Sequence, residues 1–414
     1  MMKKRYRRVY ITQYSLLVLT LVVVVGLVLA GLVILEHLSY EDHFAISWAA
    51  GRAWLLEGED PYGAIIGDEA YTALFKASFN ARLPETHSFK DPIFNLFFFL
   101  PFSLLPFKLS RAVWFAVSVI TMGLIGYFSL KLAGWKVTLL EKVLIIGLFI
   151  LSFVGVESII SGHLTPLIVL LILAGLDALI HGRDTLAGFL FSLTFGALTT
   201  SALIVLFVLI WSISRRRWAV LKAYFAGLGF LWAISLLLIP SWPSGWFRAN
   251  LPLIESWDWI QTPLMDLSLV LPGIAQPMSL ALHAIFAVIL LTVLFTTLNK
   301  TGLVFTWNTL AILVLAYLFH IESSVFSLYL VFPAFFMVLR FWSDRWRVVG
   351  RVLSWVILIG LAAGTWLYAR PDFSLNMSQR FPILIAGLPL LILAGMVTVR
   401  WWAIRIPRLP YEQA

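Results

Sequence analysis

The side chains that could do chemistry in this chain are concentrated in one interval, residues 36–91. It is the longest polar interval in a sequence of 414 residues that is 61% hydrophobic. Glu41, Asp42 and His43 lie near its start, and Asp60 follows within a Gly-Glu-Asp-Pro-Tyr motif. A carboxylate at a membrane face can accept a proton, and partial burial raises its pKa towards the useful range. The interval is therefore the first candidate for a reactive site.

An apolar stripe follows at positions i, i+4, i+7 and i+11, formed by Phe44, Trp48, Gly51 and Leu55. This spacing predicts one face of a helix, with Asp42 on the opposite face. Gly58 is typical of a helix C-terminus, and Pro61 forbids continuation. The pattern favours an amphipathic helix on a membrane surface, with the Asp42 carboxylate facing water or a cleft. The alternative is a helix that caps a bundle, with Asp42 as a structural N-cap.

Composition predicts a membrane protein. Charged residues make up only 12% of the chain, and several apolar runs approach the roughly 20 residues that a helix needs to cross a bilayer. The net charge of +9 comes from basic residues at segment ends, so it indicates membrane orientation and no nucleic-acid partner. The chain has no cysteine, which excludes a disulfide framework and thiol chemistry.

The predicted fold is all-α, a polytopic helical membrane protein of about 11–13 apolar segments in one domain, residues 1–414. Residues 36–91 are the first outer loop, with surface helices, and residues 240–276 are the second. Segment 92–107 is apolar but short and punctuated by proline. The other segments are expected near 11–35, 110–130, 142–160, 164–181, 186–211 (a double segment), 218–239, 277–296, 302–319, 323–341, 350–368 and 382–400.

Basic clusters predict the orientation. They lie at residues 3–8, 215–217 and 400–408, so both termini are expected in the cytoplasm of a multi-pass cell-membrane protein. The first apolar run has no small-residue cleavage pattern and is interpreted as a retained helix. Charge also favours a hairpin over a single crossing at 186–211, because a hairpin keeps the flanking basic residues inside. That choice puts residues 162–166 on the outer side, beside the first loop.

The order of motifs resembles glycosyltransferase family 87. The motifs are Asp42-x-Phe44, Ala49-Ala50-Gly51-Arg52, Gly58-x-Asp60-Pro61-Tyr62, a proline-aromatic segment, Gly162-His163-x-x-Pro166 and a Gly-rich double helix. The resemblance covers approximately residues 1–220 and implies a GT-C-type membrane enzyme, whose best-known relatives use polyprenol-phosphate-mannose. Three positions depart from the family: His163 stands where Gln is frequent, a Lys near Thr199 is missing, and His320 begins a segment that is usually richer in His.

The resemblance implies a division of roles. Such an enzyme deprotonates an acceptor hydroxyl, stabilises oxocarbenium-like charge and neutralises a departing lipid phosphate. The resemblance points to Asp42 as the base, in contrast to the alternative that Asp42 is a structural N-cap. His43 is expected to be a neighbour of the base or a second base. A phosphate calls for Arg, Lys or His. The candidates, each also a plausible interfacial anchor, are Arg52, Lys90, His163 and Arg248. His163 is preferred because an ionisable residue is costly in apolar surroundings.

Further substrate contacts are predicted for His43, Asp60, Tyr62, Glu157, His320 and Glu322. Glu157 precedes His163 by one or two helical turns and is its expected partner. Asp60 and Tyr62 are expected to shape the loop, and the Tyr62 hydroxyl is a candidate for bonding a sugar. His320 and Glu322 have an ordinary helix-end pair as their alternative. An aromatic belt at the lipid interface is favoured over sugar stacking for a second-loop cluster, formed by Trp242, Trp246, Trp257 and Trp259.

The sequence therefore predicts a hexosyltransferase that uses a polyprenyl-phosphate sugar, with a glycolipid or glycan acceptor on the outer side of the membrane. No cofactor is predicted besides this lipid-linked co-substrate. No metal-binding spacing occurs, and a divalent ion would require Asp42 and Glu322 to meet. A transporter or lipid flippase is the main alternative, since ionisable groups within apolar segments also serve carriers. A non-catalytic scaffold of an envelope complex is a third; it would tolerate replacement of Asp42.

Overall fold

Helices follow one another along the described chain. The structure, a computed structural model, describes residues 2–38, 40–63, 81–82, 89–256, 262–268, 272–320, 325–369 and 383–405. The first eight helices are α1 (Met2–His37), α2 (His43–Arg52), α3 (Ile93–Ser103), α4 (Phe107–Ala133), α5 (Leu139–Leu151), α6 (Phe153–Ser161), α7 (Thr165–Ile180) and α8 (Asp184–Leu193). The next eight are α9 (Leu198–Ser214), α10 (Trp218–Leu238), α11 (Trp242–Ser256), α12 (Pro263–Ser268), α13 (Ala275–Thr297), α14 (Gly302–Leu318), α15 (Phe332–Ala369) and α16 (Leu388–Arg405).

Shorter elements extend or join these helices. π-helical turns continue α2 and lead into α16, at Ala53–Glu57 and Ile383–Gly387. Segments of 3-10 helix lie at Thr194–Ala197, Pro272–Ile274 and Val325–Val331. Two strands of two residues each, β1 (Tyr40–Glu41) and β2 (Ala81–Arg82), pair in parallel. The architecture is therefore all-α, as predicted.

Six stretches of the described residues are long and apolar enough to cross a membrane, or seven if a bent pair counts as one span. Four shorter apolar helices accompany them. The six are Leu17–His37, Phe107–Ala133, Asp184–Ser214, Trp218–Leu238, Ala275–Thr297 and Val325–Leu367. The chain is a polytopic membrane protein, which confirms the fold class inferred from composition.

The residues pack into two compact units. Residues 1–90, 96–120 and 158–163 form the first, and residues 91–95, 121–157 and 164–414 form the second.

In the second unit, the stretch Asp184–Ser214 folds back on itself. A continuous helix of its 31 residues would separate its ends by about 46 Å. Instead, the Nε of Arg217, just beyond one end, donates to Asp184 Oδ2 at the other end, at 3.0 Å. The reversal is at the 3-10 segment Thr194–Ala197. The predicted hairpin at 186–211 is confirmed by this contact.

A second reversal divides the stretch Val325–Leu367. Arg347 has non-helical backbone angles, φ 47° and ψ −114°. The Ser354 hydroxyl donates to the Leu339 carbonyl at 3.2 Å, across 15 residues that a continuous helix would extend over about 22 Å. The chain therefore forms two antiparallel arms here, in agreement with the predicted helices at 323–341 and 350–368.

The segment predicted as one helix at 142–160 is a bent pair. Helices α5 and α6 meet at an angle of 64°, because Ser152 between them takes an extended backbone with ψ 156°. The Ser152 hydroxyl accepts from the Gly155 amide at 3.2 Å and donates to the Phe149 carbonyl at 2.8 Å. These bonds satisfy backbone groups that the break would otherwise leave open.

Hydrogen bonds connect the helix ends of the second unit that carry basic residues. Lys131 Nζ donates to Asp177 at 2.7 Å, and Arg340 Nη1 donates to the Ala133 carbonyl at 2.9 Å. Trp211 Nε1 donates to the Lys300 carbonyl at 3.3 Å. Arg217 connects these pairs, because its Nη1 donates to the Leu179 carbonyl at 3.0 Å and its guanidinium lies over the Trp211 ring, so these basic residues lie at one end of the unit.

In the first unit, helix α2 is buried on almost every side. It begins at His43, and its π-helical extension ends at Gly58, the predicted C-terminal stop, which has φ +70°. All residues from 44 to 51 are buried, so the expected placement on a membrane surface is wrong. The reason is that both faces have partners: Phe44 packs on other aromatic rings, and small residues, among them Ala45 and Ala49, line the rest of the helix without exposure.

Candidate active site

Asp42 is both the N-cap of α2 and half of a buried ion pair. Its Oδ1 accepts from the Phe44 amide at 3.1 Å. Arg111 Nε, from helix α4, lies 2.9 Å from Oδ2 and 3.1 Å from Oδ1. Neither side chain has any solvent exposure. The hydrogen bond to the Phe44 amide confirms that Asp42 is an N-cap. The expectation that its carboxylate faces water is wrong.

Burial raises the pKa of the Asp42 carboxyl, because a charge is poorly solvated inside the protein. The Arg111 guanidinium opposes this effect, as do hydrogen bonds from the backbone amides of Phe44 and Ala45. The charged form of the Asp42 carboxyl is therefore stabilised by the Arg111 guanidinium and by the N-terminus of helix α2.

Arg111 joins Asp42 to a second segment of the chain. Its Nη2 donates to the carbonyl of Ile160, near the end of α6. Its guanidinium also lies over the rings of Tyr40 and Phe44, at 5.5 Å and 5.7 Å from their centroids. The guanidinium is thus enclosed by the residues around Asp42 on one side and by the α6 terminus on another.

The turn after α6 is held just as closely. Trp114, one turn beyond Arg111 on α4, donates from Nε1 to the Gly162 carbonyl at 2.9 Å. Gly162 has φ +68°, and a Cβ there would lie 2.9 Å from Phe44 Cβ and 3.1 Å from Arg111 Cζ. Both the backbone angle and the lack of space require glycine. This turn carries the chain into His163.

His43 and His163 meet at this point. Their ring centroids are 4.9 Å apart in an edge-on arrangement, so the predicted proximity of residues 162–166 to the first loop is confirmed. Glu41 Oε1 lies 3.8 Å from His43 Nε2. Burial lowers the pKa of His43, against the opposing effect of Glu41 and Asp42. Burial therefore favours the neutral form of this partly exposed imidazole.

The other predicted residues of the first unit have defined places. Arg52 lies over the Trp48 ring at 5.4 Å and makes a long contact, 3.5 Å, with the Ser103 carbonyl. Asp60 Oδ1 accepts from the Tyr62 amide at 3.0 Å, and the Tyr62 ring packs on Phe89 at 5.5 Å. Both residues therefore shape the loop as expected. Lys90 is half-buried.

Three predicted residues belong to the second unit. Glu157 is half-buried on α6. Arg248 is exposed on α11, where its Nε contacts the Ser244 carbonyl at 3.3 Å. His320 is buried at the end of α14, with Nε2 at 2.8 Å from the Thr200 hydroxyl. Glu322 lies outside the described residues.

The tryptophan cluster differs from its prediction. Trp242 is only 4% exposed, and it packs on Phe94 and Trp232 at 5.2 Å and 5.1 Å. It is an internal aromatic contact of the second unit, so assigning it to a lipid-facing belt was wrong. Trp246 is half-buried, and Trp257 and Trp259 lie outside the described residues.

Sequence reasoning missed Arg111 as a site residue. One signal was present: it is an arginine within the apolar run Phe107–Ala133. Ionisable residues in such runs are costly and normally have a specific partner. The spacing could not identify that partner, because Asp42 lies 69 residues away in the chain.

The fold and these contacts define a polytopic membrane protein whose buried acid–base cluster joins an N-terminal loop helix to a later interhelical turn. The model of glycosyltransferase family 87 matches residues 89–321. This match covers more than half of the chain, which therefore belongs to glycosyltransferase family 87 and is a membrane glycosyltransferase. The comparison with curated proteins finds no match.

Some of the candidate residues lie inside the region that the family model matches, and others lie outside it. It includes Lys90, Arg111, Glu157, His163, Arg248 and His320. It begins after Asp42, His43, Arg52, Asp60 and Tyr62, and it ends just before Glu322. The cluster at Asp42 is thus connected to the matched region through Arg111 and the turn at Gly162.

Proposed function

We propose that this protein is a GT-C-type enzyme that transfers a hexose, mannose in the first instance, from a polyprenyl-phosphate carrier to an envelope lipid or glycan. The reaction takes place on the outer side of the cell membrane. Membership in a glycosyltransferase family supports transfer over the alternative of a transporter or flippase. The observation that carries the choice of site is the convergence of His43 and His163, at 4.9 Å, beside the buried Asp42.

In the proposed reaction, the acceptor hydroxyl oxygen attacks the anomeric carbon of the sugar. The bond from that carbon to the phosphate oxygen breaks, and polyprenyl phosphate leaves with the bonding electrons. The hydroxyl proton passes to the Asp42 carboxylate as general base, a role worth about 10²–10⁴-fold in rate. Because Asp42 is covered in the structure, substrate binding must first open access to it.

The departing phosphate needs a cation or a hydrogen-bond donor. His163 is the proposed contact, since it adjoins His43 and follows the constrained Gly162 turn. Arg52, Lys90 and Arg248 remain proposed phosphate ligands. Among the proposed sugar or acceptor contacts, His43, Asp60 and Tyr62 belong to the first unit. The others are Glu157, His320 and Glu322.

A lipid-linked donor suits an enzyme built of membrane helices, because the carrier delivers its sugar in the plane of the bilayer. The test compares polyprenyl-phosphate mannose with the corresponding nucleotide sugar, using the purified chain in liposomes and an extract of envelope lipids as acceptor. Transfer from the lipid-linked form is expected. A preference for the nucleotide sugar would overturn the donor assignment.

The proposed orientation puts both termini in the cytoplasm, with the tied basic end of the second unit facing inwards. Because the natural chain has no cysteine, single-cysteine labelling is free of background. Glu59→Cys, in the exposed part of the first loop, is expected to react with an impermeant maleimide in intact cells. The matched variant Lys136→Cys, at the basic end, is expected to react only after permeabilisation. The reverse pattern would contradict the proposal.

A further inference from the structure

Arg111 makes contacts that a simple ion pair does not need. Its Nε is shared by both oxygens of Asp42, and its Nη2 reaches the Ile160 carbonyl. Its Cζ would be 3.1 Å from a Cβ at Gly162. The segments that carry His43 and His163 are each bonded to, or packed against, this one guanidinium.

We propose that Arg111 is a positioning residue that fixes the Asp42–His43 segment and the Ile160–Gly162 turn relative to each other, so that His43 and His163 face one another across the transfer site. This inference rests on the proposed function for the role of the site. The contact between the two histidines is, in contrast, a property of the folded chain alone.

The geometry requires arginine. A guanidinium presents five donors in a rigid plane, so it can bond a carboxylate and a carbonyl in fixed relative directions. A lysine ammonium in the same place would keep the charge but is a single point on a flexible stem. The same helix adds Trp114, whose bond to the Gly162 carbonyl, at 2.9 Å, holds the turn from one helical turn away.

The first test measures the distance between the two segments without any activity. The pair His43→Cys/His163→Cys is introduced into the otherwise cysteine-free chain and treated with a short bifunctional thiol reagent. Efficient cross-linking is expected with Arg111 intact. In the Arg111→Gln and Arg111→Lys backgrounds, the yield in the folded, monodisperse fraction is expected to fall to that of the single-cysteine controls.

Lys108→Gln is the matched control. Lys108 is on the same helix and pairs with Glu36 at 2.9 Å, but both side chains are about half exposed, where such a pair contributes little. Its cross-linking yield is expected to remain that of the parent. Unchanged yields in both Arg111 variants would overturn the proposal. If either fails to fold, the neutral pair Asp42→Asn/Arg111→Gln is measured, and an unchanged yield there would overturn it equally.

The second test uses transfer kinetics. A displacement of about 1 Å can cost about 10²-fold in rate. Arg111→Gln is therefore expected to lower kcat by about that factor with little change in the KM of the lipid-linked donor. Arg111→Lys, which keeps the charge but not the planar fork, is expected to recover only part of the loss. Full recovery by lysine would show that charge alone matters, which contradicts a positioning role. If the parent chain transfers nothing from the lipid-linked sugar, the proposed function fails while cross-linking still decides the role of Arg111.

Discussion

Arg111 Nε lies 2.9 Å from Asp42 Oδ2 and 3.1 Å from Oδ1, and water reaches neither side chain. Burying two charges is costly, and the pair repays that cost only while both partners are present. Removing one partner leaves a buried charge without compensation. The pair therefore couples the stability of the first unit to any substitution aimed at the proposed base.

Asp42→Asn is expected to have two separable effects. Breaking the buried pair should destabilise the protein by about 3–5 kcal/mol, although asparagine caps helices about as well as aspartate. Loss of the base should also lower transfer by about 10²–10⁴-fold. Thermal unfolding and turnover of the purified protein measure the two effects.

The double variant Asp42→Asn/Arg111→Gln separates them, because two neutral amides can occupy the same space without a buried charge. It is expected to regain much of the lost stability and none of the transfer. Recovery of turnover above about a tenth of the parent rate would rule out Asp42 as the base, since a missing base normally costs more than that.

Acid should weaken the first unit through His43. Burial lowers its pKa in the folded protein from the ordinary 6.5, so the unfolded chain takes up a proton more readily. The contribution of this residue to stability is then complete above about pH 6.5 and declines as the pH falls below that value. His43→Asn is expected to flatten the dependence of the unfolding temperature on pH between about 7.5 and 5. Replacing the exposed His37 on α1 serves as the control, and an equal flattening there would refute the assignment.

Gly162→Ala tests the constrained turn. The left-handed backbone, φ +68°, should cost about 1–2 kcal/mol for any residue with a Cβ. Crowding against Phe44 and Arg111 should add about 1–3 kcal/mol. Gly182→Ala is matched to it, with φ +75° and no heavy atom of the described residues within 4 Å of the new Cβ. Denaturation of both variants should show Gly162→Ala to be the more damaging; equal losses would mean that the turn has room.

Gly188→Ala tests the fold-back of α8. A Cβ at Gly188 would overlap the Val220 carbonyl and lie 2.9 Å from Ala223 Cβ, which places the middle of α8 directly against the start of α10. Overpacking of this kind costs about 1–3 kcal/mol. Gly229→Ala, on α10, should be neutral or slightly stabilising, because no described heavy atom lies within 4 Å of the new Cβ. Thermal stability in detergent compares the two, and a harmless Gly188→Ala would argue against the close packing of α8 on α10.

Much of the fold could be predicted because apolar length and charge are local properties of a membrane sequence. The helix through Phe44 and Trp48 and its end at Gly58 followed from spacing and one glycine. The hairpin at Thr194–Ala197 followed from the basic residues at its two ends. The break at Ser152 could not be predicted, since an apolar run gives no sign of an extended residue within it.

The burial of helix α2 was harder to predict than its position in the chain. The stripe through Phe44 and Trp48 correctly identified one buried face of α2. Its other face is formed by small residues such as Ala45 and Ala49, and small residues permit close packing as readily as exposure. Which outcome occurs depends on distant partners. For Asp42 the partner was Arg111, and no pattern within the first loop could indicate it.

The reversal at Thr194–Ala197 also constrains how the protein is made. Helix α8 has 10 residues and α9 has 17, so the arms are about 15 Å and 25 Å long against a hydrocarbon core of about 30 Å. The shorter arm, α8, cannot cross the bilayer as an independent span. At the tip, the Ser201 hydroxyl satisfies the Thr194 and Ala197 carbonyls, at 2.9 Å and 3.0 Å, but irregular backbone at this depth also needs protein around it. Because α8 packs closely on α10, we expect the hairpin to be stable in the bilayer only after α10 has been synthesised.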